Sequence, residues 1–272
     1  MPWPMRGLRD GVLTTGWPSH PDAYADEFAA AVAVRRHIPA TATAGRHLID
    51  AVSDCPTGAI SGGHGVPARV DRGRCILCGR CVALAPETFA WARGPEAATL
   101  DRAALVVPTI AEDDRTLRLL RAGLRRRVRR LRRSVHIRHV DTGSDGSDEW
   151  EVQALLNPVY DMNRLGIFLT ASPRHADILL VTGIGGDAMS AALARTRQAM
   201  PDPVVVIVAG ADAISGGLFG GGYASAGGAA AQLPVDVWIP GSPASPFSLL
   251  YGILLGLGRV ADPASTRPRG VR

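Results

Sequence analysis

The sequence predicts an α/β chain in two unlike halves: a small N-terminal α+β domain that holds every cysteine, and a C-terminal α/β domain on a mainly parallel sheet. Three observations carry this. All four cysteines lie between residues 55 and 81. From residue 136 onward, short β-branched runs alternate with segments of helical periodicity. Between the two patterns runs an arginine-rich amphipathic stretch. The chain divides accordingly into an N-terminal arm (1–30), the small domain (31–105), an arginine-rich helical linker (106–135) and the α/β domain (136–272).

At 272 residues the chain is long enough for two cores, and 46% hydrophobic with 20% charged residues describes a globular protein. All 30 basic residues are arginine, and against 25 acids they leave a net charge of +5. That excess is local, because residues 115–138 carry eleven arginines. No apolar run reaches transmembrane length; the longest, from Phe247 to Gly258, has the size of a core helix. Arg6, Arg9 and Asp10 interrupt what a signal peptide would need as an apolar region. The arm, with Trp3, Pro4, Trp17, Pro18 and Pro21, reads as irregular: an extended segment on another surface, or a disordered tail. Phe28 to Ile38 follows as a short helix or a strand.

The small domain is organised round Cys75-Ile-Leu-Cys78-Gly-Arg-Cys81 and Cys55-Pro56. Three cysteines at two-residue spacing wrap a tight loop round one corner of an iron-sulfur cube, and a distant Cys-Pro supplies the remaining iron. The expected cofactor is one 4Fe-4S cluster bound by Cys55, Cys75, Cys78 and Cys81. Zinc is the competing reading, although zinc knuckles present pairs of CxxC from separate turns. Free thiolates need a reducing compartment, so disulfides are not expected. Counting back from Cys55 by four, seven and ten residues reaches Ala51, Leu48 and Gly45, and counting forward four from Cys81 reaches Ala85. Residues 40–90 thus resemble a two-cluster bacterial ferredoxin that has kept all four ligands of one cluster and lost all four of the other. The resemblance implies a ferredoxin-like α+β fold.

In the linker, Leu117, Leu120, Leu124, Val128 and Leu131 recur every three to four residues, which predicts a helix with one apolar side and arginine elsewhere. Docking on an acidic partner or proximity to an anionic membrane is the favoured use, a solvated linker helix the plain one. Nucleic acid is not an expected partner, because the run lacks a base-stacking aromatic and a recognised motif.

His136 to Val140, Ile178 to Val181, Val204 to Val208 and Val235 to Ile239 read as buried parallel strands, and Asp187 to Met200 and Ser245 to Leu257 as helices. Functional loops are expected at the carboxyl ends of the strands. Residues 136–260 resemble the small subunit shared by respiratory complex I and the group 4 membrane-bound hydrogenases, formate hydrogenlyase included. The matching text is Asn157-Pro-Val-Tyr-Asp161, Ser172 to Gly183, Met200-Pro-Asp-Pro203, Gly216-Gly-Leu-Phe219, Pro234 to Gly241 and Leu250-Tyr-Gly-Ile253. The resemblance implies a flavodoxin-like α/β domain whose loops hold a 4Fe-4S cluster through four cysteines.

None of the four is a cysteine in this chain. Asp145, Asp148, Asp212 and Ser242 stand at the positions the resemblance assigns to them. Hard oxygen ligands suit magnesium, calcium or manganese better than a sulfide cluster. A divalent cation among Asp145, Asp148 and Asp212, or a proton relay of raised-pKa carboxyls, are the specific readings, and a filled-in, solvated loop cluster ranks ahead of both. Arg174, Glu149 and Glu151 match family positions near the cluster or the partner subunit; His136, His139 and His175 read as hydrogen-bonded structural imidazoles. Gly183-Ile-Gly185-Gly186 lacks the dinucleotide spacing, so nucleotide binding is weakly supported.

The resemblance implies an iron-sulfur electron-transfer subunit of a membrane-bound oxidoreductase, docked on a hydrogenase-like large subunit and membrane-arm subunits. The expected location is peripheral, on the cytoplasmic face of the cell membrane. No catalytic centre of its own is expected. The alternative is a structural or assembly subunit whose cluster stabilises the fold.

Overall fold

A computed structural model describes residues 3–108, 114–129 and 134–260. The arm is more regular than its composition suggests. Trp3–Asp10 form helix α1 and Ala23–Glu27 form α2. Asp22 starts α2 by accepting from the Tyr24 and Ala25 amides at 2.9 and 3.3 Å, which satisfies two orphan donors. Between the helices the arm lies across the C-terminal half. The Thr15 amide donates to the Val159 carbonyl at 2.8 Å, and Trp17 packs edge-on against Phe247 at 6.0 Å.

The N-terminal half follows as β1 (Ala29–Val34), α3 (Ala42–Ser53), β2 (Ile60–Gly63), β3 (Val66–Asp71), α4 (Arg80–Leu84) and β4 (Phe89–Arg93). The ambiguous stretch after Phe28 is therefore a strand, as its run of alanine and valine permits. β1 pairs antiparallel with β4; β2 pairs antiparallel with β3, and β3 with the short β5 (Val106–Val107). Thr41 caps α3 through the Ala44 amide at 3.1 Å. The helix turns Leu48 and Ala51 onto Val32, Ile60, Val70 and Phe89. The segment leading into β5 is shared with the other half: Thr99 bridges Trp238 through two 2.9 Å backbone hydrogen bonds, and Leu100 and Leu105 enter the cores of the large sheet.

Helix α5 (Asp114–Val128) is the arginine-rich element. Leu131, the last residue of the expected stripe, lies outside the described residues. Within the helix the stripe splits: Leu120 is exposed, whereas Leu124 and Val128 are buried in the core of the C-terminal half. The Arg127 guanidinium forks onto the Asp236 carboxylate and also reaches the Val204 carbonyl at 3.3 Å. The second half of the helix is thus clamped to the C-terminal half, leaving Arg125, Arg126 and Arg129 outward.

The C-terminal half is built on β6 (Val135–Asp141), β7 (Ile167–Leu169), β8 (Ile178–Thr182), β9 (Val205–Ala209) and β10 (Val237–Ile239), all parallel, in the order β10-β9-β8-β6-β7. Counted along the chain the order is 2-1-3-4-5, a doubly wound order whose switch point lies between β6 and β8. Helices α6 (Ser147–Ala154), α7 (Asp187–Ala199), α8 (Ala211–Ser215) and α9 (Pro246–Gly256) complete it. Both sheet faces are apolar, as a covered parallel sheet requires. All eleven residues of α9 are buried, which fits a helix apolar all round. Its start is fixed by Pro246 and by the Ser245 hydroxyl, which accepts from the Ser248 amide at 3.2 Å. No described helix is long and apolar enough to cross a membrane.

Candidate functional site

All four cysteines line one cavity, walled by Val32, Ile60 and Val70 and bordered by Pro56, Gly79 and Arg80. All are free thiols; Cys75 and Cys81 are buried, Cys55 is half-buried and Cys78 is exposed. Pro56 ends the α3 connection, and Cys75 opens the loop between β3 and α4. Within that loop Leu77 is held at φ 55°, a left-handed conformation that costs a branched residue of order 1–3 kcal/mol. The hairpin and the two helices therefore converge their sulfurs from separate elements. A backbone amide is directed at one of them: Ala59 donates to Cys55 Sγ at 3.3 Å.

Burial pushes the Cys75 thiol up to about 11, with the Cys81, Cys55 and Cys78 charges adding to it against the Leu77 amide. Cys81 moves the same way for the same first reason. Four mutually repelling thiolates in an apolar cavity call for cationic charge between them, and iron or zinc would supply it. The donor set fits a cluster, being four sulfurs and nothing else.

Leu48, Ala51 and Ala85, three of the positions where a second ferredoxin cluster would have its ligands, are buried in one apolar cluster with Phe89. Gly45 is exposed.

The switch point between β6 and β8 gathers the other predicted residues, without making a cation cage of them. Among the described residues no group of three or more His, Cys, Asp or Glu side chains converges as for a single metal ion. Asp145, Asp148 and Asp212, the carboxylates of the cation reading that ranks below a filled-in loop cluster, are each held by separate local contacts. Asp145 turns outward, where its carboxylate accepts from the Ser147 amide at 2.9 Å and the Ser147 hydroxyl at 2.6 Å, bonds that hold its pKa low. Asp148 turns inward, 4% exposed, and accepts from the Ala244 amide at 3.2 Å. Burial pushes it up to about 7, with the nearby charges of Asp212, Glu149 and Asp145 adding. Asp212, in the first turn of α8, is raised first by burial and then by Asp145 and Glu149. Ser242 lies half-buried in the loop before α9.

Asp148 ties three loops together. It starts from α6, bonds the loop before α9, and lies against Gly210 at the end of β9. A Cβ on Gly210 would fall 2.2 Å from the Asp148 carboxylate, and φ there is +91°. Gly210→Ala is expected to lower stability by about 3 kcal/mol, read as a fall in the thermal midpoint of the full chain.

Beside Asp148 lies a hydrogen-bonded chain that the spacing of residues did not disclose. Ser144 donates to Glu149 Oε2 at 2.6 Å, Thr182 donates to Glu149 Oε1, and His139 Nε2 stands 3.0 Å from the Thr182 hydroxyl. Its one sequence signal is polar residues at the carboxyl ends of two adjacent buried strands. Burial holds the His139 pKa down, in keeping with a hydrogen-bonded structural imidazole. His136 is tied to Asp177 through its backbone amide at 2.8 Å, while its ring Nδ1 stands 3.8 Å from that carboxylate. Arg174 and His175 are exposed. The Gly183 to Gly186 loop does lead into α7, but its glycines serve packing: a Cβ on Gly183 would meet Asp141 at 2.6 Å, and one on Gly185 would meet the Gly228–Ala229 backbone at 2.7 Å.

Comparison with known proteins places residues 146–255 in a match to the model of the NADH ubiquinone oxidoreductase 20 Kd subunit. Formate hydrogenlyase subunit 7 of Escherichia coli is 38% identical over 164 residues, 60% of this chain and 63% of that subunit. A probable membrane-bound hydrogenase subunit of Pyrococcus furiosus is 38% identical over 129 residues, 47% of this chain and 77% of the relative. An NADH-quinone oxidoreductase subunit of Rubrobacter xylanophilus is 43% identical over 95 residues, 35% of this chain and 38% of the relative. The match to the formate hydrogenlyase subunit thus spans less than two thirds of its length.

Proposed function

The chain belongs to the NADH ubiquinone oxidoreductase 20 kDa subunit family, and from that premise we propose that it is an iron-sulfur electron-transfer subunit of a membrane-bound, hydrogenase-like complex. It holds one 4Fe-4S cluster on Cys55, Cys75, Cys78 and Cys81, and none in its C-terminal half. The observation that carries this is the convergence of every cysteine on one cavity, with the Ala59 amide donating to Cys55 Sγ. The order β1-α3-β2-β3-α4-β4, two antiparallel pairs with two helices, supports a ferredoxin-like fold for this half. The apolar packing of Leu48, Ala51 and Ala85 supports a single cluster there. The 2-1-3-4-5 strand order supports a flavodoxin-like C-terminal domain. There, Asp145, Asp148, Asp212 and Ser242 replace the cluster cysteines, and the Asp148 carboxyl occupies the space between the loops.

When bound, the cluster supplies one-electron outer-sphere transfer. The chain holds it, shields one side with Val32, Ile60 and Val70, and leaves the Cys78 edge open to a partner. Relatives that are subunits of formate hydrogenlyase and of a membrane-bound hydrogenase support partners within such a complex, a hydrogenase-like large subunit and membrane-arm subunits, with this chain peripheral to the membrane. A second reading, a structural subunit with a cluster that only stabilises the fold, is favoured by the cysteine-free switch point, because it interrupts a chain of closely spaced centres.

The test is metal analysis of the anaerobically purified full chain. One cubane's worth of iron and acid-labile sulfide is expected, with an electron paramagnetic resonance signal after dithionite reduction. Zinc in place of iron, or twice the iron, overturns the assignment. Rapid reoxidation of the reduced cluster within the intact complex selects electron transfer over the structural reading.

A further inference from the structure

We propose that the chain carries a docking face for an anionic lipid surface, made of a band of arginines joined to the uncovered helix α1. The inference rests on the peripheral membrane placement proposed above, names the surface that meets the membrane, and is independent of the cluster. The band is assembled from separate elements. Arg125, Arg126 and Arg129 are exposed on the outer side of α5, whose other side is clamped to the C-terminal half. Gly258, just past α9, lies against α5, where a Cβ on it would meet Arg125 Cγ at 4.0 Å. The next residue, Arg259, donates to the Leu165 carbonyl at 2.7 Å, and Arg164 beside it donates to the Trp17 carbonyl. Arg164 and Arg259 are both exposed. The band therefore runs from α5 past the end of α9 to the N-terminal arm.

Among the described residues no carboxylate stands within ion-pair distance of Arg125, Arg126, Arg129 or Arg164. Asp236, the acid that faces α5, is committed to Arg127 and to the Val206 amide at 2.9 Å. Asp161, at the start of the turn that carries Arg164, is half-buried. The arm supplies an apolar surface beside this charge. No residue of α1 is buried. At 3.6 residues per turn, Trp3, Pro4, Leu8 and Met5 share one side of it, and Arg6, Arg9 and Asp10 the other. Trp3 is 85% and Leu8 86% exposed, and Val12 and Leu13 after the helix are exposed too. The link from Asp10 to Thr15, whose amide holds the arm to Val159, spans at most about 18 Å, so α1 stays beside the band.

An anionic bilayer surface accepts both features at once. Guanidinium groups fork onto lipid phosphates, and the headgroup charge attracts a basic band that comes within a Debye length. A helix with tryptophan and leucine on one side and arginine on the other lies in the headgroup layer, apolar side inward. A purely acidic protein surface would match the band and leave Trp3 and Leu8 in water. Each feature alone binds a membrane weakly; joined through one short arm they act as two signals.

The test is cosedimentation of the purified full chain with lipid vesicles. Vesicles of phosphatidylcholine and phosphatidylglycerol in equal parts are expected to bind it at about 0.1 M salt and to release it at about 1 M, where charges are screened within about 3 Å. Vesicles of phosphatidylcholine alone are expected to bind it at least tenfold less. Removing two charges from the band, Arg125→Ser with Arg126→Ser, is expected to weaken the partition at least tenfold. Removing two from the side of the sheet covered by α7, Arg174→Ser with Arg195→Ser, is expected to leave it close to the parent chain. Trp3→Ser with Leu8→Ser is expected to weaken it several-fold without changing the salt dependence. Equal binding to both lipids, band and control variants weakening alike, or an α1 variant that binds like the parent overturns the proposal. Attachment to native membranes but not to vesicles, lost when the membrane surface proteins are digested, overturns it in favour of an acidic protein and leaves the peripheral placement standing. Attachment to neither fails the peripheral placement itself.

Discussion

Cys75→Ser is expected to strip the chain of its iron and acid-labile sulfide and to abolish the reduced-state resonance signal, while the metal-free chain stays folded. The contrast follows from where the sulfur lies. Cys75 is 9% exposed and faces the cavity shared with the other three cysteines. A serine hydroxyl there is a far poorer iron ligand, because its alkoxide form is costly in an apolar wall that already pushes the thiol up to about 11. Water cannot replace it at a buried corner. In the metal-free chain the exchange is nearly isosteric and costs about 1–3 kcal/mol for the buried hydroxyl. In the loaded chain the loss is larger, since the free energy of metal binding is folding free energy for a loop that carries three ligands. Cys78→Ser is the control. That residue is exposed, solvent reaches the vacated ligand position, and part of the iron is expected to remain. Elemental analysis beside circular dichroism of both variants checks the pair, and equal iron retention by the two would contradict the shared-cavity reading.

How much of this was legible beforehand depends on the range of the interactions involved. The cysteine spacing is local, and the four cysteines line one cavity. The strands at Ile178 and Val205 are apolar runs that could only be buried, and they occur within a residue or two of expectation. β7, with three residues, is too short to show a period, and α6 opens in a Gly-Ser-Asp text that reads as loop. The arm's helix α1 hid behind Trp3 and Pro4. The amphipathic stripe of α5 was visible, but which part of it docks was not, because Arg127 finds Asp236 109 residues away. Asp148 is the sharpest case. Its neighbours in sequence, Asp145 and Glu149, are polar and describe a solvated loop, yet its hydrogen-bond donor lies 96 residues on, at Ala244. Composition cannot disclose a carboxyl that the fold has turned inward.

That inward turn makes the chain's stability depend on pH in a direction opposite to the usual paired carboxylate. Unfolded, Asp148 titrates near 3.8; folded, burial raises it to about 7. Below the lower value both states are protonated and the residue contributes no difference. Between the two values the unfolded chain releases its proton while the folded chain keeps it, so stability falls as pH rises. Above about 7 both are ionised and the full penalty stands, about 4 kcal/mol at 1.36 kcal/mol per pH unit, a net figure that already includes the opposing effect of the Ala244 amide. Asp148→Asn keeps an acceptor for that amide and cannot ionise. It is expected to match the parent chain at pH 5 within about 1 kcal/mol and to exceed it by about 2 kcal/mol at pH 8 in urea unfolding. Comparing the two chains isolates the residue. His139, whose lowered pKa weakens both alike as pH falls, drops out of the difference. Parallel pH profiles would mean that Asp148 is hydrated or paired in solution, and that the three loops at the switch point are held by something other than a neutral carboxyl between them.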